Sequence, residues 1–265
     1  MSETSRTSAL VTGASAGIGA VFARRLAERG HDLILVARRE ERLERLSAEI
    51  RQATAAKVRI IAADLADPTG LLEVEAAVQA EARLGMLVNN AGFTVPGPLA
   101  DADPGEIDRM LMVNVTALAR LTRAALPGML AKGSGSIINV SSGLTFMQLP
   151  GTAAYSGSKA FVLHFTRTLH EEVARHGIRL QALCPGLVSS EFHEAAGLDV
   201  HRYPPEMVMT PEDLVDASLA GLDQGEVVCI PSLPNLNDWE SLEQARDAVA
   251  ALVSSNQPAE RYRQG

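Results

Sequence analysis

Tyr155 and Lys159 stand four residues apart where the pattern predicts the start of a helix, so both side chains leave one face. A phenol and an amine placed this way can work as a proton-transfer pair. The lysine charge favours the phenolate and is expected to pull the phenol below its free value of about 10. Such a group can give or take a proton near neutral pH. A pair of this kind also arises by chance, so its neighbours matter. Ser142, next to Ser141, closes a predicted strand thirteen positions earlier. Asn114 lies mid-helix between Val113 and Val115, where asparagine is a poor helix former. Asn89-Asn90-Ala91-Gly92 closes another predicted strand.

Near the start of the chain, Thr12-Gly13-Ala14-Ser15-Ala16-Gly17-Ile18-Gly19 follows one predicted strand and opens a helix. Glycines there allow a tight turn and close approach to a pyrophosphate. The helix start adds free N–H groups and a positive dipole end. Gly13, Ser15, Ala16, Gly17, Ile18 and Gly19 are therefore candidate dinucleotide ligands. The second strand ends at Ala37 and is followed by Arg38 and Arg39. A carboxylate at this point would suit the ribose hydroxyls of NAD. Arginines instead suit the 2′-phosphate of NADP, which makes NADPH the expected cofactor and NAD the less expected one.

Two other motif matches compete. Gly13-Ala14-Ser15-Ala16-Gly17 also reads as a hydrolase nucleophile elbow, and Ser156-Gly157-Ser158-Lys159 as S-x-x-K. An elbow needs a downstream acid and histidine, for which His193 or His201 could serve. Placed on the first strand, however, it leaves no room for a preceding oxyanion loop.

These residues need a scaffold that brings distant segments to one edge. Apolar runs at 8–12, 33–37, 58–62, 86–89, 136–140, 178–184 and 227–230 read as strands buried on both faces. Segments long enough for crossover helices lie between them. The pattern predicts an α/β fold: one doubly wound, Rossmann-like parallel sheet of about seven strands with helices on both faces. Asp103-Pro104 with Glu106, and Thr210-Pro211 with Asp213, read as capped helix starts. The whole chain, 1–265, is expected to form a single domain. Within it, 186–209 would be a loop closing over substrate and 231–265 a C-terminal extension. Trp239, Leu242, Ala245, Val249 and Leu252 recur in that extension at helical spacing.

Composition narrows the partners. The net charge of -8 carries no basic stripe, so nucleic acid is not expected. No apolar run is long enough to span a bilayer. Met1–Thr7 is polar, unlike a signal peptide, and the two cysteines, Cys184 and Cys229, lack metal-like spacing. A cytoplasmic location with reduced thiols and no metal is the expectation.

Taken together, these motifs resemble the short-chain dehydrogenase/reductase family, in its shorter subtype, from about Ser8 to Ile230. The resemblance implies hydride transfer between NADPH and a carbonyl or alcohol. By position it makes Asn114, Ser142, Tyr155 and Lys159 the catalytic set, with Tyr155 as general acid or base and Ser142 holding the substrate oxygen. Lys159 would tune Tyr155 and bind the nicotinamide ribose, while Asn114 would fix a water. Asp64 and Leu65 would meet the adenine. Asn90, Ala91 and Gly92 would line the cofactor. Pro185, Gly186, Val188 and Ser190 would flank the nicotinamide. Phe93, Val95, Leu144, Phe146, Leu149, Phe192 and His193 are expected around a small-molecule pocket. A homodimer through the helices around 103–126 and 153–175 is implied, with a tetramer less expected. A non-catalytic dinucleotide sensor of the same fold is the alternative.

Overall fold

A computed structural model describes residues 6–192, 199 and 202–263. Seven parallel strands form the main sheet: β1 (Ser8–Thr12), β2 (Asp32–Ala37), β3 (Val58–Ala62), β4 (Leu84–Asn89), β5 (Gly135–Val140), β6 (Ile178–Leu183) and β9 (Val228–Cys229). The order across the sheet is β3-β2-β1-β4-β5-β6-β9. The two-residue strands β7 (Leu187–Val188) and β8 (Val208–Met209) pair separately. β1 and β2 are buried throughout, which is why their sequences are continuous apolar runs rather than alternating ones.

Helices cover both faces. One core gathers α1 (Gly17–Glu28), α2 (Glu40–Ala53) and α7 (Pro211–Gln224), with Phe22, Leu26, Leu43 and Leu219 buried. The other gathers α3 (Pro68–Ala80), α5 (Leu118–Lys132) and α6 (Ala153–Val173), with Leu71, Leu121 and Leu169. The chain runs outward one way from β1 and the other way from β4. The crevice beyond the carboxyl ends of these two strands is thus a topological switch point, where open α/β sheets bind ligands.

Both expected helix caps form. The Asp103 side chain accepts from the Glu106 N–H at 3.0 Å at the start of α4 (Pro104–Leu111). Thr210 accepts from the Asp213 N–H at 3.0 Å at the start of α7. The single helix expected through Asn114 is interrupted, because Met112–Ala117 widens into a π-helix between α4 and α5. Its physical anchor is Asn114, whose carboxamide is held by the backbone of Phe93. Such bulges recur at functional sites.

A buried polar ladder crosses the sheet beneath the switch point. Asn89 of β4 donates to Thr122 of α5 at 3.0 Å and to Asn139 of β5 at 2.8 Å. Asn139 in turn donates to Thr166 of α6 at 2.9 Å. Four buried side chains thereby pin α5 and α6 to adjacent strands.

The chain divides into two compact units, Met1–Pro231 and Ser232–Gly265. The second contains α8 (Asn237–Ala250), of which no residue is buried. Of the apolar stripe read from the sequence, Leu242, Val249 and Leu252 are exposed, Leu252 at 81%, while Trp239 is half-buried. Among the described residues no helix is long and apolar enough to cross a membrane, and no cluster of side chains could hold a metal.

The ladder yields a stability test. Asn139→Ala removes one hydrogen bond from Asn89 and one from Thr166, which keep their bonds to Thr122 and to the Val162 carbonyl, at about 0.5–1.5 kcal/mol for each bond lost. Urea unfolding should show that loss with an unchanged m-value. A variant as stable as the parent would mean the ladder is energetically idle.

Candidate active site

Tyr155 and Lys159 leave the first two turns of α6 and are 7% and 3% exposed. Lys159 Nζ lies 5.8 Å from the Tyr155 ring centre and donates to the Val140 carbonyl at 2.8 Å. The two serines after β5 divide their work. Ser141 Oγ donates to the Lys159 carbonyl at 2.8 Å, tying α6 to the strand end. Ser142 Oγ accepts from the Leu144 N–H at 3.2 Å and is near enough to the Tyr155 hydroxyl to favour its charged form. Asn114 accepts from the Phe93 N–H at 3.1 Å, and donates to Phe93 O at 3.0 Å and to Ser158 Oγ at 3.1 Å. A Cβ on Gly92 would lie 3.0 Å from Asn114 Oδ1 and 3.2 Å from Lys159 Nζ. Four segments distant in sequence therefore meet in one buried cluster.

Electrostatics here correct one expectation from the sequence. Burial pushes the Tyr155 phenol up to about 12, and Ser142 opposes only part of that rise. Burial also brings the Lys159 ammonium down to about 8, with Cys184 pulling weakly the other way. The phenol is not lowered by its lysine. Desolvation acts on both groups and disfavours both charged forms. The Tyr155 phenol consequently keeps its proton.

The glycine turn lies across the switch point from this cluster. Gly13 has φ +67, and a Cβ there would meet Asn90 Nδ2 at 2.7 Å and Ala91 Cα at 2.9 Å. Asn90 Nδ2 donates to the Thr12 and Gly13 carbonyls at 2.9 and 3.3 Å. Thr12 Oγ1 accepts from the N–H groups of Asn90 and Ala91, each at 3.0 Å. Ala16 is the N-cap of α1 and makes no side-chain cap bond, while Ile18 packs partly buried against the core. Pro185 O accepts from the Gly143 N–H at 2.7 Å, Gly186 is exposed, and Val188 is buried in β7. Ser190 folds over the turn, its Cβ 3.3 Å from where a Gly17 Cβ would stand. Its hydroxyl is buried without a partner.

At the far end, Arg38 is exposed and makes no ion pair or hydrogen bond among the described residues. Arg39 donates to Ser15 Oγ at 3.3 Å and to Glu191 at 3.0 Å. Asp64 accepts from the Ala66 N–H at 2.9 Å and from Arg109 at 3.3 Å, whereas the Leu65 side chain is buried in the core. The unpaired Ser190 hydroxyl, the turn with no room for side chains at Gly13, and the open guanidinium of Arg38 fit a phosphate-bearing dinucleotide.

Several positions were not singled out from the sequence. Ser158 sits one helical turn beyond Tyr155, donates to the Tyr155 carbonyl at 2.7 Å and supports Asn114. The i, i+3 spacing was the available signal for it. Arg42 and Glu191 had none, because their pairing spans 149 residues. Of the expected pocket residues, Phe192 packs its ring 5.9 Å from that of Tyr155. His193 lies outside the described residues, as do residues 194–198, 200 and 201 of the expected closing loop. The hydrolase reading finds no support: Ser15 is partnered by Arg39 and Ser156 by Thr152, at 2.8 Å.

Comparison with known proteins agrees with this geometry. Residues 7–200 match the family model described as short chain dehydrogenase. The very-long-chain 3-oxoacyl-CoA reductase of Anas platyrhynchos is 33% identical over 230 residues, covering 84% of this chain and 72% of that protein. A short-chain dehydrogenase from Sphingobium yanoikuyae, solved in complex with NADPH, superimposes with a TM-score of 0.92 at 40% identity, covering 97% of this chain and all of that one. The bulky-bulky ketone specific alcohol dehydrogenase from Comamonas testosteroni gives a TM-score of 0.90 at 37% identity, over 98% of this chain and 99% of that one. Coverage this high takes in the C-terminal segment, which these two proteins share. The seven-stranded parallel sheet, the glycine turn and the extent of these matches make the chain a member of the short-chain dehydrogenase/reductase family.

Proposed function

We propose that this protein is an NADPH-dependent reductase of ketones, reversible to alcohol oxidation. The observation that carries the reading is the buried Tyr155–Ser142–Lys159 cluster facing the switch point opposite a glycine turn. Arg38, Arg39 and the NADPH bound by the Sphingobium yanoikuyae protein support the phosphorylated cofactor.

NADPH, when bound, supplies the hydride. The chain's residues manage the proton. Tyr155 holds it through the physiological range and donates it to the carbonyl oxygen as the C–H bond forms. Ser142 donates a hydrogen bond to that same oxygen and fixes its position. The resulting phenolate would be unstable in so dry a place, and the Lys159 ammonium stabilises it until a proton returns from solvent. Asn114 would fix a water that links Lys159 to solvent, while its bonds to Phe93 and Ser158 hold the neighbouring backbone in register. A ketone with apolar substituents is supported by Phe192 against Tyr155, by exposed Met147 and Leu149 beyond β5, and by the ketone substrates named for two similar proteins. A dinucleotide sensor would have use for the turn and the arginines, but none for a buried proton donor.

A cytoplasmic location belongs to this reading, supported by two buried free thiols. So does a homodimer. A groove of about 450 Å³ between α5 and α6 includes Leu126, Phe161, Phe165, Arg123 and Glu172. Phe161 and Phe165 stack at 5.5 Å, with Phe161 40% exposed. A two-fold axis through this face would set the arginine and glutamate of one copy against the opposite charges of the other.

Three measurements test these statements. Tyr155→Phe should lower NADPH oxidation with a panel of apolar ketones by about 10²–10⁴-fold while thermal stability and NADPH binding persist. Wild-type turnover in that variant would remove Tyr155 as the donor, and an inert parent that still binds NADPH would favour the sensor. For the parent, kcat/KM of reduction should fall as pH rises through about 8, where Lys159 loses its proton, since the phenol at about 12 keeps its own. A profile flat to pH 10 would disconnect Lys159 from the reaction. Light scattering should find a dimer that Phe161→Glu converts to monomer; a dimer surviving that change would mean a different interface.

A further inference from the structure

Opposite the proposed catalytic cluster, an ion pair joins the segment after β7 to the start of α2. Glu191 follows Ser190 in the segment after β7. Its carboxylate reaches the start of α2, where Arg42 Nη1 donates to both oxygens at 2.6 and 2.8 Å and Arg39 Nη1 to one at 3.0 Å. The other amine of Arg39 donates to Ser15 Oγ in the glycine turn at 3.3 Å. One guanidinium thus spans the pyrophosphate turn and an acid from the opposite wall.

We propose that Glu191 is a specificity-determining residue: an internal anion that holds the guanidinium edge of Arg39 which the cofactor's 2′-phosphate would take, and so weakens NADPH relative to NADH. The proposal rests on the NADPH reading above. Carboxylate and phosphate place the same demand on arginine, that of oxygens along its N–H edges. Two anions competing for Arg39 also repel one another, the phosphate monoester carrying about -1.5 to -2 at neutral pH. Arg42 and Arg39 hold the Glu191 carboxyl below the usual carboxylate range, so it remains charged wherever the phosphate is charged. The pair is half exposed, at 47% for Arg39 and 49% for Glu191, and an exposed pair breaks at small cost. On NADPH binding Glu191 gives up Arg39 and keeps Arg42. NADH, without the phosphate, leaves the pair intact. The arrival of the phosphate is thereby felt at Glu191, one residue from the buried hydroxyl of Ser190 above the turn.

Calorimetric titration of the full chain with NADPH and with NADH tests this. Glu191→Gln should tighten NADPH about three- to tenfold and leave NADH unchanged, the unchanged NADH affinity also reporting an intact fold. The gain should shrink to the direct repulsion alone, under about twofold, in Glu191→Gln combined with Arg39→Gln, measured against Arg39→Gln alone. Weaker or unchanged NADPH binding in Glu191→Gln, or equal tightening of both cofactors, overturns the proposal. A parent that prefers NADH overturns the NADPH reading and the proposal with it. A parent that prefers NADPH, with no gain on removing the Glu191 charge, overturns the proposal alone.

Discussion

An ammonium group taken out of water must be hydrogen-bonded or give up its charge, and the placing of Lys159 imposes that condition on its surroundings. Its Nζ is met by the Val140 carbonyl at the end of β5. For that bond to form, α6 must begin close to the strand end, and Ser141 fixes it there through the Lys159 carbonyl. Lys159 also sits near the start of its helix, where the macrodipole disfavours a cation. Glycine suits position 92, because a Cβ would crowd both Lys159 and Asn114 and make one of them shift by a few tenths of an ångström. The π-helix belongs to the same set of constraints. It carries Asn114 to the backbone of Phe93, and so keeps the loop after β4 clear of the lysine.

Across the switch point the constraint is steric rather than electrostatic. Thr12 and Asn90 join the carboxyl ends of β1 and β4 through side-chain bonds to backbone, and the resulting corner leaves no space for a side chain at Gly13. Gly19 is under the same pressure, since a Cβ there would meet the Gly13 carbonyl and Asn90. The turn is set by protein–protein contacts before any ligand arrives, so cofactor binding spends little on ordering it.

The sequence made most of this legible because its signals are local. Parallel strands buried on both faces read as apolar runs, and the predicted β1, β3 and β5 lie within one residue of those observed. The two proline-led caps involve residues three apart, and both are present. What escaped depends on distance or on solvent. The strands β7 and β8 are two residues each, too short for any periodicity. The widening at Met112–Ala117 alters backbone hydrogen bonding, with a misplaced asparagine as its only outward sign. The direction of the Tyr155 shift was misread because sequence reveals the neighbouring charge but not the desolvation that weakens it. Glu191 on Arg39 joins segments 152 residues apart, which no local pattern announces.

The two ends of the cleft therefore differ in how freely they can change. At the proposed catalytic end, Ser158 and Asn114 are buried and bonded to one another, and Lys159 is buried and bonded to the Val140 carbonyl, so a substitution orphans a partner in a dry environment. At the phosphate end, Arg38, Arg39, Arg42 and Glu191 are solvated, and exchanging one of them alters ion pairs of small worth. Substitutions there can shift the balance between phosphorylated and unphosphorylated cofactors without approaching the stability limit of the fold. In the proposed reading the proton chemistry is fixed by packing, whereas cofactor preference rests on side chains that packing hardly constrains. Drift in cofactor choice with the reaction retained follows from that division.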